Sequence, residues 1–157
     1  TPFTKYRGTE PAFRQTVAKL RDAWEKKVPL TFSTDFDYWN ERMKNEKTGE
    51  WLTRGEMTIA FLDTWKAANI PPADILRAIT INGYKAADVI KDRGPIKAGF
   101  FADLIAVSGD PLTDIDALRN VQFVMKNGMV FKKDGVMMPE KFFHPGPVRT
   151  PNGRWTR

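Results

Sequence analysis

A chain of 157 residues is long enough for one domain with a real core, and folding alone it would bury roughly two-thirds of the surface its unfolded form exposes. Hydrophobic content of 41% and charged content of 28% exclude disorder or a coiled coil for the whole chain, and the absence of cysteine excludes disulfides and thiolate metal sites. The net charge of +6 does not define a nucleic-acid footprint, because the basic residues are scattered and half of the excess comes from four of them set against Glu140 in the last stretch.

No window reaches the roughly 18 uninterrupted apolar residues of a membrane span, and the opening stretch Thr1 to Glu10 has no apolar core resembling a signal peptide. With no initiator Met, the expectation is a processed or truncated piece of a longer protein, and the compartment stays open.

Thr9 to Lys27 reads as a helix. Phe13, Val17, Leu20 and Trp24 recur at spacings of four, three and four, with Arg14, Lys19, Arg21 and Glu25 largely between them, so one apolar stripe runs along a polar cylinder. Thr9 suits the N-cap, Pro11 the first turn, where no amide donor is needed, and Lys26-Lys27 the negative end. The next stretch, VPLTFSTDFDYW from Val28 to Trp39, reads as a buried strand ending in a charged rim. Val28 to Phe32 is apolar and rich in β-favouring residues, and Asp35 and Asp37 follow with Phe36, Tyr38 and Trp39 beside them. A carboxylate at the C-terminal end of a strand is where α/β folds place chemistry, and it is equally a residue that caps a following element. A helix leading at once into a buried strand is half of an α/β repeat.

Asn40 to Arg54 is polar, carries Gly49 and shows no steady period, so it is expected to be a long loop, with a lid or active-site role favoured by its place just after Asp35. Gly55 to Asn69 returns to a helical pattern, with Met57, Phe61, Trp65 and Ala68 on one stripe widened by Ile59 and Leu62. Such a Met and aromatic stripe is core rather than a ligand box. Ile70-Pro71-Pro72 turns the chain, a helix carrying Ile75, Leu76 and Ile79 follows, and a break over Thr80 to Gly83 precedes a short helix from Tyr84 to Ile90.

From Asp92 onward the character is β. Asp92-Arg93-Gly94-Pro95 and Lys97-Ala98-Gly99 are turn signals, Ala102 to Val107 is a strand, and Asn127-Gly128 between Val121–Lys126 and Met129–Lys132 is the strongest short hairpin signal. Asp134-Gly135 offers a second turn. A unit of roughly 40 residues of this kind needs partner strands. Pro139 to Arg157 reads as an irregular tail, and its His144, the chain's one histidine, is expected on the surface or in packing rather than on a metal. No internal repeat, phosphate-cradling glycine loop or Cys/His cluster occurs.

Four segments, in this order and spacing, resemble the C-terminal third of the amidohydrolase superfamily, in the branch of imidazolonepropionases, cyclic-imide and dipeptide-hydrolysing enzymes and related metal-dependent hydrolases. They are Phe32 to Asp35 after an apolar strand, Ile70 to Gly83, Gly94 to Val107, and Gly109-Asp110-Pro111-Leu112 leading to Val124 to Gly128. The resemblance implies an α/β fold: the C-terminal part of a (β/α)8 TIM barrel in residues 1–91, part of a small composite β-sandwich in 92–138, and a basic tail in 139–157. Within the barrel it implies that Val28 to Ser33 is the eighth strand, the preceding helix the seventh, and Gly55 to Asn69 near the eighth. It also implies that Asp35 binds a catalytic metal and shuttles the proton of the attacking water, a role that a fixed carboxylate beside a divalent ion can fill. Asp103 is implied to be structural. Tyr38 and Trp39 sit where they could face substrate, and Asp37 keeps only a capping role.

The same family needs a His-x-His pair, a bridging Lys or Glu, and two further histidines, and one His with one Asp falls short of the about three protein ligands that catalytic zinc requires. The expectation is therefore a C-terminal fragment or subunit, incomplete and inactive alone. With a longer N-terminal amidohydrolase segment or subunit it would hydrolyse the C–N bond of a small amide, cyclic imide or dipeptide-like substrate. Water activated by one or two divalent ions, zinc foremost, would do the chemistry, with the other ligands outside this chain. The assembly is expected to be oligomeric, with neither nucleic acid nor membrane as partner. The rival expectation is a non-catalytic protein-interaction module derived from such an enzyme.

Overall fold

The computed structural model describes residues 10–33, 48–49 and 54–139. The expectations for Thr9, Asp35, Phe36, Asp37, Tyr38, Trp39, most of the Asn40 to Arg54 loop and His144 fall outside them. In chain order the described elements are helices α1 (Glu10–Glu25), α2 (Arg54–Ala60), α3 (Leu62–Ala67), α4 (Pro72–Ile79) and α5 (Ile81–Ala86), then β1 (Leu104–Val107), a 3₁₀ helix (Ile115–Arg119), β2 (Val121–Lys126), β3 (Met129–Lys133) and β4 (Val136–Met137).

The stripe on α1 folds as its spacing dictates: Phe13 is buried, and Val17, Leu20 and Trp24 pack against the central core. The helix ends without a glycine. Lys27 takes the left-handed conformation at φ 57°, its N–H donates to the Trp24 carbonyl at 2.9 Å, and Val28 N–H reaches back to Ala23 O at 3.0 Å. That double closure ends a helix by satisfying its last carbonyls. The same closure recurs at Asn69 and Ile70 after α3, and at Asp88 and Val89 after α5, with φ 53° and 54° at the left-handed residues. Each time an apolar residue follows the left-handed one, and after α3 that residue, Ile70, enters the core directly.

The single helix expected over Gly55 to Asn69 is two. At Phe61 the backbone tightens: Phe61 N–H donates to Thr58 O and Thr64 N–H to Phe61 O, both at 3.1 Å. The extra twist takes Phe61 off the innermost line and puts Leu62, fully buried, in its place beside Trp65. Leu62 and Ile75 have no exposed surface, and burial of each side chain contributes about 1.5–3 kcal/mol. The expected helix from Tyr84 to Ile90 also moves. Thr80, at φ −114° and ψ −93°, is the whole break, so Asn82 and Gly83 lie inside α5 and the helix ends at Ala86.

The sheet is a meander in the order β1-β2-β3-β4, antiparallel throughout. Asn127-Gly128 at φ 51° and 78° and Asp134-Gly135 at φ 50° and 78° are both two-residue turns with positive φ at each central position, the pattern whose twist matches flanking strands. The first strand is shorter than expected, starting at Leu104 rather than Ala102. The 3₁₀ helix between β1 and β2 sends Ile115 and Leu118 into the same core as Leu62, Trp65 and Ile75. One apolar core therefore serves the helices and the sheet's connecting turn.

Candidate functional site

Val28 to Ser33 is extended but pairs with no strand among the described residues, which corrects the expectation of a buried strand. Val28 is 49% exposed, and Leu30 and Phe32 are half-buried against the core, with the Phe32 ring 5.7 Å from that of Trp65. The physical reason lies in where its backbone groups go. Phe32 N–H donates to the carbonyl of Ala78 at 3.1 Å, and the side-chain amide of Asn82 donates to Leu30 O at 2.8 Å. Residues two apart on an extended chain present their polar groups to the same side. The break at Thr80 supplies a partner edge for that side: a carbonyl from the last turn of α4, where intrahelical donors have run out, and an amide donor from the first turn of α5. A helix–helix junction thus takes the place of a neighbouring strand.

Beside this segment lies a cleft of about 510 Å³ whose walls include Trp24, Pro29, Leu30, Trp65, Arg77 and Asn82. Its floor is tied by Asp74, which accepts from Trp24 Nε1 at 3.0 Å and from Arg77 Nη1 at 2.7 Å and so fixes α1 to α4.

Asp103 heads β1 and is the most heavily bonded carboxylate described. Its side chain is 7% exposed, and it accepts from Arg93, from Lys126 Nζ at 2.7 Å and from the backbone N–H of Asn127 at 2.7 Å. Burial alone would raise its pKa; the bonds from Lys126, the Asn127 amide and Arg93 outweigh burial and hold the carboxyl below its ordinary value. Arg93 is itself buried and lies with its guanidinium 4.1 Å from the centre of the Phe101 ring. Gly128 N–H adds a 3.0 Å bond to Ala102 O, so the turn between β2 and β3 is clasped onto the head of β1. Asp103 is therefore committed to structure, as its sequence context implied, but its partners Arg93 and Lys126 carried no signal beyond their charge. A second charged group, Lys66 and Arg119 around Asp116 with Asp63 2.7 Å from Arg119, joins α3 to the 3₁₀ helix. Asp116 is held below its ordinary pKa by Lys66 first, against burial, and by Arg119.

Among the described residues no three His, Cys, Asp or Glu side chains come together to hold a metal ion. The described residues alone do not fit a divalent cation, and they bring none of Asp35, Tyr38 and Trp39 into view, since all three lie outside them.

Residues 6–131 match the amidohydrolase family, and the chain belongs to that family. Its members generally bind divalent metals. No curated protein matches the chain significantly. Among solved structures it is similar to a Xaa-Pro dipeptidase with methionine bound in its active site, at 27% identity and a TM-score of 0.59, over 74% of this chain and 25% of that one. It is similar in fold to a protein described as a prolidase from Bifidobacterium longum, at 23% identity and a TM-score of 0.57, over 80% of this chain and 28% of that one. The chain thus spans about a quarter of the length of the solved structures it matches.

Proposed function

We propose that this chain is the C-terminal part of a metal-dependent amidohydrolase of the TIM-barrel type, acting with a longer N-terminal segment or subunit to hydrolyse the C–N bond of a small amide, with a dipeptide as the favoured substrate. The observation that carries the reading is the family match, which runs through Val28 to Ser33 and on to β3, combined with the similarity to a dipeptidase of which the matched part of this chain covers 25%. In this reading Asp35 would help to hold the metal and would pass a proton from water to the leaving nitrogen, so that one amide and one water become a carboxylate and an ammonium ion. A bound divalent ion, zinc by preference, would lower the pKa of that water. Tyr38 and Trp39 face the substrate.

The test is turnover of Xaa-Pro dipeptides and simple amides by the complete assembly isolated from its source. Asp35→Asn is expected to lower kcat by about 10²–10⁴-fold while leaving the assembly intact by native mass spectrometry. Undiminished turnover would remove Asp35 from the chemistry. A chain recovered alone and metal-free would instead favour the non-catalytic interaction module.

A further inference from the structure

We infer that Asn82 is a positioning residue: its side-chain amide fixes the place of Leu30 and Phe32, in the segment that precedes Asp35 in the sequence. The functional half of this inference rests on the proposed role of Asp35; the structural half does not.

Asn82 is an unexpected residue for the first turn of a helix whose other end is closed by Asp88 and Val89, because Asn has poor helix propensity and is followed here by Gly83, which is poorer. The part-buried side chain is not spent on its own backbone, the usual use of Asn near a helix start. It crosses 52 positions to the Leu30 carbonyl. With Phe32 N–H on Ala78 O, it makes a two-point clamp from one helix junction onto alternate residues of one extended segment. The two points differ in kind. Any residue at position 78 supplies the carbonyl, whereas the amide donor depends on the side chain at position 82. The clamp's specificity therefore lies in Asn82.

Apart from Val28 N–H on Ala23 O, which closes α1, the remaining grip on the segment is apolar and soft in the chain direction: Leu30 and Phe32 rest half-buried on the core, and the Val28 side chain stands out in solvent. Hydrophobic contact does not define a position along the segment, and a hydrogen bond to a particular carbonyl does. A displacement of about 1 Å at a reacting group is enough to cost a large factor in rate, so, with Asp35 in its proposed role, loosening Leu30 and Phe32 is expected to lower turnover.

The test uses the isosteric Asn82→Asp variant of the full chain, which has no N–H donor and a carboxylate against the Leu30 carbonyl. Hydrogen exchange at the Phe32 amide, read by NMR and corrected for intrinsic rates, is expected to lose protection on the order of ten-fold at neutral pH, with core amides such as that of Ile75 unchanged. As pH falls through the pKa of the introduced carboxyl, its O–H becomes a donor and protection at Phe32 should return, a recovery that the wild type cannot show. Asn82→Ala should lose the protection at every pH. Unchanged exchange at Phe32 in both variants overturns the clamp. In an active wild-type assembly, Asn82→Asp should lower kcat by about ten-fold or more with KM little moved. Loosened exchange with full kcat overturns the positioning role, and an inactive wild-type assembly sinks the proposed function while exchange still decides the clamp.

Discussion

Two devices fix extended segments to the rest of this chain, and they are made of opposite materials. At the head of β1 a buried carboxylate, Asp103, gathers Arg93, Lys126 and the Asn127 amide. At Leu30 and Phe32 the ties are neutral: one carboxamide and one peptide carbonyl. The charged clasp gains from low dielectric and close pairing, but it becomes a liability when one partner is removed. The neutral clamp is weaker and indifferent to pH over the range in which carboxylates titrate. A carboxylate surrounded by its own cations is spent on structure.

The largest expected effect strikes the charged side of that comparison. Arg93→Ala strands Asp103 in a buried site with only Lys126, itself half exposed, to balance it, and should cost about 3–5 kcal/mol in urea unfolding, whereas replacing the pair together by apolar residues of similar volume should cost much less. If Arg93→Ala is nearly neutral, the clasp is not the structural centre of the sheet. The next effect is in pH. Because Asp103 is held below its ordinary value in the folded chain, its contribution is complete above the unfolded value of about 3.9 and is lost as pH falls through the folded value. Thermal unfolding followed from neutral pH downward should show an acid limb that Asp103→Asn flattens, while Asn82→Ala leaves the slope of that limb unaltered. The smallest effect falls at the end of α1, just before the neutral clamp. Lys27 pays for a left-handed backbone with a full side chain, so Lys27→Gly should stabilise the end of α1 by about 0.5–1 kcal/mol in the same urea experiment. Destabilisation there would mean that the Lys27 side chain has a role at the cleft it borders.

What was legible in the sequence is what is decided locally. The stripe Phe13, Val17, Leu20 and Trp24 fixes α1, and Asn127-Gly128 and Asp134-Gly135 fix both hairpins, because turn and helix preferences act over a few residues. Val28 to Ser33 was legible as extended but not as to its partner. Its β-favouring composition describes the segment's own backbone, while the groups that satisfy that backbone come from a junction about fifty residues on. Asn82 was hidden for the same reason: beside Thr80 and Gly83 it reads as a helix breaker, and only the fold gives its amide a carbonyl to meet. The shift at Phe61 was equally invisible, since one tightened turn changes which of two adjacent apolar residues faces inward. Asp35, Tyr38 and Trp39 were singled out by resemblance and by place in the chain, and their chemistry is carried by the proposal alone.

The tertiary polar ties also close loops of two different lengths. Asp103 meets its partners across 10, 23 and 24 positions, whereas the ties of Trp24 to Asp74, Leu30 to Asn82, Lys66 to Asp116 and Asp63 to Arg119 span 50, 52, 50 and 56. Closing a longer loop costs more chain entropy before any contact repays it. Loop length therefore predicts the sheet and its clasp as the early unit on refolding, with the four ties that span 50 to 56 positions closing after it.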